Sequence, residues 1–335
     1  MKKRTFSLLM LFAATIIVVW ISFVAAKSSQ KETKYNPAEH KTALIMKRAE
    51  TFLEEGKGDM AEMAYVMVIT NFPSSPDTEK ALRNLAEYNE GKGDMKRAAY
   101  YYSRFIKEFP DVPDVPEIRV KIAVINMEIM KSTLKTEDSI EYTVVKGDSL
   151  YAIAKKFNTT IGLVEKMNNL KTDVLQIGQK LKINTARFSV KVDRAKNILE
   201  LKKDGELFKT YIVATGSNNS TPVGVFKVTD KMVEPVWTKP GVGMIMPGTE
   251  DYELGARWIP ISVKGYGIHG TNDETSIGGQ TTAGCVRMYN EDVIELFDII
   301  PIGTEVEIID SVQKDATPVP AEENKVSGDE NGNNT

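Results

Sequence analysis

"IHGTNDETSIGGQTTAGCVRMYNEDVIEL", Ile268 to Leu296, holds the single cysteine of the chain, Cys285, and one of its two histidines, His269. Both lie in glycine-flanked sequence. The stretch then turns helical at "NEDVIELFDII", which Asn290 is expected to cap, with Glu291 and Asp292 in the first turn. A thiol attacks only as thiolate, so a catalytic cysteine needs a base or an electropositive setting. His269 is the one imidazole in this part of the chain, and 16 residues leave room for a strand, a loop and a return. Arg287 stands two residues beyond the cysteine, able to stabilise a thiolate or hold a carboxylate in a bidentate fork. Backbone N–H groups at Gly284 and Cys285 could hold an oxyanion with no side-chain donor. The plain alternative is an inert buried thiol and a satisfied core histidine, and the bare residues leave both readings open. No G-x-S-x-G elbow and no carboxylate pair at a telling spacing supports a serine or aspartyl hydrolase.

Working outward, residues 186–310 read as a mostly antiparallel β domain. "FSVKVDRAKNILELKKDGELFKTYIVATG" alternates apolar and polar residues, with Asp204-Gly205 as a hairpin turn. "TPVGVFKVTDKM" and "ARWIPISVKGYGIHG" continue as strands, and "TEVEIID" closes the domain. Upstream, residues 140–184 read as a βααβ unit: a strand at Tyr142–Val145, a Gly147-Asp148 turn, and a helix capped by Ser149. A second helix starts at Thr159 and Thr160, and a closing strand runs from Gln179 to Ile183.

Residues 38–135 are helical by apolar spacing. "EGKGDM" occurs at Glu55 and again at Glu90, 35 residues later, and each following helix stops at Phe-Pro. Helix, Gly-Asp turn, helix and proline at that period is the pattern of tetratricopeptide-like repeats, for which a protein partner or a spacer role is expected. At the N-terminus, "MKKR" precedes an uncharged run, "TFSLLMLFAATIIVVWISFVAA". The run meets the roughly 20 residues a membrane span needs. Residues 1–27 are therefore expected to anchor the chain with its bulk outside the membrane; cleavage after "VAA" is the alternative. The tail, residues 311–335, is polar, Pro- and Glu-rich, and is expected to be disordered.

The chain has 335 residues and a formal net charge of −3, with no stripe of Lys and Arg, so nucleic acid is not an expected partner. A single cysteine rules out an intramolecular disulfide, and two distant histidines make a histidine-based metal site improbable, so no metal or cofactor is expected.

Two stretches resemble known families. "YTV", "GDSLYAIA", "KF", "N.L" and "IGQKL" resemble a LysM domain. That resemblance implies binding of N-acetylglucosamine-containing glycan, here peptidoglycan, at Gly147, Asp148, Ser149 and Leu150 and at Leu175, Gln176 and Ile177. "IHGTNDETSIGGQTTAGCVRMYNEDVIEL", with "VATGSNNSTPVGVFKV", "PVW", "LGARWI" and "IGTEVEI", resembles the YkuD-type L,D-transpeptidase catalytic domain. The resemblance implies a β-sandwich-like fold with Cys285 as nucleophile and His269 as general base. It further implies that the Gly270 carbonyl orients the imidazole, that Gly284 and Cys285 line the oxyanion hole, and that Arg287 is the motif arginine. One position departs: the family motif usually reads Ser/Thr-His-Gly-Cys, and here Ala283 stands where that histidine would be.

The expected architecture is thus multidomain α+β: an anchor, helical repeats, a LysM module and a catalytic domain in a bacterial envelope. The expected activity, by resemblance, is attack of Cys285 on the third residue of a tetrapeptide stem, loss of D-alanine, and transfer to the amine of a neighbouring stem. Transfer to water or to a protein amine by the same site, and a non-catalytic wall-binding scaffold, are the alternatives.

Overall fold

The computed structural model describes residues 37–132, 135–239 and 241–311. The expected anchor at 1–27 and the tail beyond Ser311 lie outside the described residues. No helix among the described residues is long and apolar enough to cross a membrane.

The described residues fall into two compact units, one ending at Leu85 and one starting at Ala86. In the first, α1 (Pro37–Glu54) and α2 (Gly58–Asn71) pair through small residues, Ala49, Ala61 and Ala64, packed with Tyr65 and Val68. Thr42 Oγ1 donates to Asp77 Oδ2 at 2.6 Å and ties α1 to the start of α3 (Asp77–Lys92), which runs across the unit boundary. The duplicated "EGKGDM" does not fold the same way twice. In the first copy the helix ends at Glu54 and Gly56 takes φ +70°. In the second the helix continues to Lys92 and the turn glycine is Gly93, at φ +82°. Asp94 then caps α4 (Met95–Glu108) by accepting from Arg97 N at 3.2 Å. The expected Phe-Pro stops are present, with Phe72 and Phe109 as the C-terminal caps of α2 and α4. A further helix, α5 (Val115–Lys131), follows.

The βααβ unit is present, shifted slightly from the expected bounds: β1 (Ser139–Thr143), α6 (Leu150–Lys156), α7 (Ile161–Asn168) and β2 (Lys180–Asn184). Ser149 and Thr160 cap the two helices, accepting from Ala152 N and Leu163 N. Strand β1 pairs antiparallel with β2 around Val144, Leu150, Ile153, Val164, Leu181 and Ile183.

The β domain carries a five-stranded sheet in the order β5-β4-β3-β15-β7. Its members are β3 (Phe188–Asp193), β4 (Ile198–Lys203), β5 (Glu206–Ile212), β7 (Gly224–Lys227) and β15 (Glu305–Ile309). The expected hairpin turn holds: Asp204 at φ +51° and Gly205 at +87° join β4 to β5. A four-stranded sheet follows the order β14-β12-β11-β8, with β8 (Met232–Val233), β11 (Arg257–Pro260), β12 (Gly267–His269) and β14 (Val286–Arg287). Two smaller ladders join β6 (Thr215–Gly216) to β13 (Gln280–Thr282), and β9 (Trp237–Lys239) to β10 (Gly243–Ile245). Most pairs are antiparallel; β3–β15, β12–β14 and β6–β13 are parallel. The inner faces and α8 (Asn290–Ile299) close one core that includes Val190, Leu201, Ile268, Val286, Leu296 and Ile308.

Two elements outside this domain enter the same core. Met127 and Met130 of α5, and Leu163 and Met167 of α7, are buried in it. Helix α5 also covers the edge strand β5, where Asn126 Nδ2 donates to Phe208 O at 2.9 Å and Arg119 Nη1 donates to Thr210 Oγ1 at 3.0 Å, while Arg119 pairs with Glu200 of the neighbouring β4 at 2.7 Å. Covering an edge in this way removes a row of open backbone groups from intermolecular pairing.

Candidate active site

The parallel pairing of β12 and β14 builds the site. Ile268 lies opposite Val286, and His269 opposite Arg287. Because strand side chains alternate faces, Ile268 and Val286 point into the core while His269 and Arg287 share the other face. One step back, Cys285 precedes β14 outside the paired residues, and its Sγ lies against the Gly265 carbonyl and the Gly267 backbone. The register thus brings His269 opposite Arg287, with Cys285 immediately before Val286 at the end of the same strand pair.

His269 is 4% exposed. Its Nδ1–H donates to Gly270 O at 2.7 Å, which leaves Nε2 as the lone-pair nitrogen. Gly270 therefore stands where an orienting carbonyl was expected. The Trp258 ring, on the strand partner of His269, lies 5.7 Å from the imidazole, centroid to centroid. Burial, with the Arg287 charge adding to it, lowers the His269 pKa from 6.5 to about 4, against the opposing pull of the Gly270 hydrogen bond and the Glu253 charge. The imidazole is neutral at rest. Burial likewise pushes the Cys285 thiol up, with the Gly267 backbone and Arg287 pulling the other way. Both partners are uncharged, so the resting pair is thiol and imidazole. Sγ directs its hydrogen bond to Gly265 O at 3.7 Å and not to the imidazole. Catalytic hydrogen bonds are often loose before substrate binds.

The oxyanion loop differs in detail from expectation. The Gly284 N–H already donates to Thr282 Oγ1 at 3.1 Å, and Thr282 Oγ1 donates to Cys285 O at 2.6 Å. Gly284 is thus engaged in shaping the loop, while the Cys285 N–H has no hydrogen-bond partner among the described residues. Glycine is required at 284: φ is +136°, and a Cβ would meet the Tyr266 ring at 2.6 Å. Ala283 is exposed, so the residue that replaces the usual motif histidine sits on the rim of the loop.

Arg287 does not present an open fork. Nη1 donates to Ser276 Oγ at 3.1 Å, Nη2 pairs with Glu253 Oε2 at 3.3 Å, and Nε is buried without a partner among the described residues. Glu253 in turn pairs with Lys239 of β9 at 2.5 Å. Sequence reasoning missed Glu253, which lies in "GTEDYELGARW" among other acids with no spacing to mark it.

Asn290 departs from its expected role as a helix cap. Tyr289 occupies the cap position, and Asn290 is the first helical residue. Its Oδ1 accepts from Ala256 N at 2.9 Å and Thr271 N at 3.2 Å, and its Nδ2 donates to Thr271 O at 2.7 Å. The amide thereby clamps the chain just after His269.

The predicted glycan-binding residues divide. Val144 N donates to Gln179 O, and Gly178 N to Val144 O, so the loop after β1 and the loop before β2 lie side by side. Gly147, Ser149, Gln176 and Ile177 are exposed there, and Asp148 and Leu175 are half-buried. Asp148 braces its turn by accepting from Val145 N and Tyr142 Oη. Leu150 is corrected: at 3% exposure it belongs to the small core, because the first apolar position of α6 faces inward. No group of three His, Cys, Asp or Glu able to hold a metal occurs among the described residues.

Comparison with known proteins places this geometry. The L,D-transpeptidase catalytic-domain family matches residues 187–308, and the LysM domain family matches residues 142–184. Two Bacillus subtilis (strain 168) proteins that carry the name L,D-transpeptidase are similar in sequence. YkuD is 32% identical over 176 residues, which is 50% of this chain and 98% of YkuD. The chain belongs to the L,D-transpeptidase family. YqjB is 43% identical over 125 residues, 36% of this chain and 69% of YqjB. Among solved structures, an L,D-transpeptidase from Mycobacterium smegmatis aligns with a TM-score of 0.32 and 16% identity, over 40% of this chain and 64% of that one. In this L,D-transpeptidase chain the LysM and catalytic segments are consecutive, and together they account for the βααβ unit and the β domain.

Proposed function

We propose that this L,D-transpeptidase cross-links peptidoglycan stem peptides through a thioester on Cys285. The observation that supports the reading most is the β12–β14 register, which pairs His269 with Arg287 two residues from Cys285, together with the Gly270 carbonyl on the imidazole Nδ1. Sγ attacks the carbonyl of the third stem residue as His269 Nε2 accepts the thiol proton. The Cys285 N–H donates to the oxyanion. The imidazolium returns its proton to the departing D-alanine amine, which leaves an acyl thioester. The amine of a neighbouring stem then attacks the thioester and loses a proton to His269, and Cys285 is released as the thiol.

A neutral resting pair suits this sequence of events, because charge develops only as the bond forms. Arg287, braced by Glu253 and Ser276, stabilises that charge through the site's field rather than by gripping substrate at rest. The loops at 147–149 and 176–177 are read as the glycan-binding face of the same chain. The helical region from residue 38 is read as tetratricopeptide-like and as a surface for a protein partner. Residues 1–27 are read as a membrane anchor that keeps these domains in the envelope.

The reading is tested by incubating the full chain with a disaccharide-tetrapeptide and measuring D-alanine release and stem dimers by mass spectrometry. Release and dimers that vanish in Cys285→Ala support it. Release without dimers identifies water as acceptor, and neither product from folded protein overturns it.

A further inference from the structure

A cavity of about 570 Å³ lies where α6 and α7 meet the catalytic domain, apart from the loops assigned to glycan and apart from Cys285. That volume falls within the range of small-molecule sites. One wall is apolar: Tyr151, 66% exposed, and Ile302, 55% exposed, with Phe297 behind them. The polar side has one unsatisfied hydroxyl and one ammonium that is not ion-paired among the described residues. Thr159 is 9% exposed, and its Oγ1 is buried with no partner among the described residues. A buried hydroxyl in that condition costs free energy unless something pairs with it. Lys231 lines the same cavity with its ammonium 4.3 Å from the Phe297 ring centre, and no carboxylate lies within ion-pair distance among the described residues. The nearby acid, Asp298, is engaged by Lys166 at 2.8 Å.

The cavity is lined by two cations, Lys155 and Lys231, against one carboxylate, Asp298, which Lys166 holds, and it has an aromatic face and one orphan hydroxyl. Aromatic faces take the apolar side of a sugar ring, hydroxyls pair with its hydroxyls, and an unpaired ammonium calls for an anion. We propose that this cavity binds a carboxylate-bearing amino-sugar, with the ring on Tyr151, its carboxylate on Lys231 and a ring hydroxyl on Thr159. The proposal rests on the peptidoglycan reading only for the choice of sugar. Burial lowers the Lys231 pKa from 10.5 to about 8, with Arg257 adding to the effect and Asp298 opposing it, and an arriving carboxylate would raise it again. Only a stem-free residue carries that carboxylate, so such a ring seated there would hold a bare stretch of glycan strand on the chain.

The test titrates the full chain by calorimetry with N-acetylmuramic acid, with glycan strands stripped of their stems, and with uncharged chitotetraose. Lys231→Gln is expected to weaken the muramic acid and the stripped strand at least tenfold, and the shape-conserving Thr159→Val about threefold, with chitotetraose unchanged. Equal binding by monomer and strand would point to a free sugar acid as ligand; stronger binding by the strand would point to the polymer. Either supports the site. Muramic acid binding that survives Lys231→Gln, no binding of either acidic ligand, or equal losses for chitotetraose would overturn it. Cys285 acylation by a tetrapeptide stem is followed in parallel. Its failure counts against the transpeptidase reading and leaves the cavity untouched.

Discussion

At the scale of single residues, the proposed chemistry rests on buried His269 and half-buried Cys285. The folded pKa of His269, about 4, lies below its ordinary 6.5, so the folded protein refuses a proton that the unfolded chain accepts. The stability this histidine contributes is complete above about pH 6.5 and is lost as pH falls toward 4, roughly 3 kcal/mol in all. Denaturant unfolding across pH 4–7 should show that slope, and a His269→Phe variant that still folds should lose it. The thiol gives a second prediction. Since burial raises its pKa, alkylation of Cys285 by iodoacetamide should be slow at pH 7 and climb above pH 9. A plateau of fast alkylation from pH 5 upward would instead mean a resting thiolate–imidazolium pair. Ala283 is the third residue at this scale. As the side chain is exposed, a hydrogen bond restored there is worth about 0.5–1.5 kcal/mol, so Ala283→His should change kcat by about tenfold or less. Residues of rare type were legible from sequence: one cysteine, one nearby histidine and an arginine two positions on. Glu253 was not, because an acid among acids carries no mark until the loop brings it to Arg287.

At the scale of elements, the strand pair β12–β14 positions the site only because its ends are clamped. Asn290 makes three hydrogen bonds to Ala256 and Thr271, and a Cβ on Gly270 would overlap its Oδ1. Asn290→Ala would leave two backbone N–H groups and a carbonyl unpaired, so a loss of about 3 kcal/mol is expected, measured by urea unfolding. Activity should fall with it, since the backbone after His269 would no longer hold the Gly270 carbonyl against Nδ1. Full activity with unchanged stability would refute the clamp. Asn before Glu-Asp has the look of a helix cap, and local sequence cannot distinguish that use from a reach to a strand 34 positions earlier in the chain. The strands and turns were easier to read, as at Asp204-Gly205, where the backbone conformation itself demands those residues. The repeated "EGKGDM" shows the opposite: identical words, with the turn glycine at Gly56 in one copy and Gly93 in the other. Flanking helix packing chooses the turn there.

At the scale of the whole molecule, the second unit behaves as more than modules joined by linkers. Leu163 and Met167 of α7 and Met127 and Met130 of α5 lie in the catalytic core, and Lys166 pairs with Asp298 across the seam. Leu163→Ala should therefore cost about 3 kcal/mol and destabilise the LysM segment and the catalytic domain together, in one calorimetric transition. Two transitions, with only the smaller one shifted, would show independent modules. The family order of the domains could be read from motifs, but this shared core could not, because an apolar residue on a short helix looks the same whichever neighbour it faces. The central claim is that Cys285 carries the acyl group. The most direct test mixes the full chain with a disaccharide-tetrapeptide, quenches in acid and maps the protein by mass spectrometry. The account predicts a tripeptide-bearing adduct on Cys285, absent from Cys285→Ala and accumulating when no acceptor amine is supplied. Stem dimers formed by Cys285→Ala, or an adduct on any other residue, would contradict it.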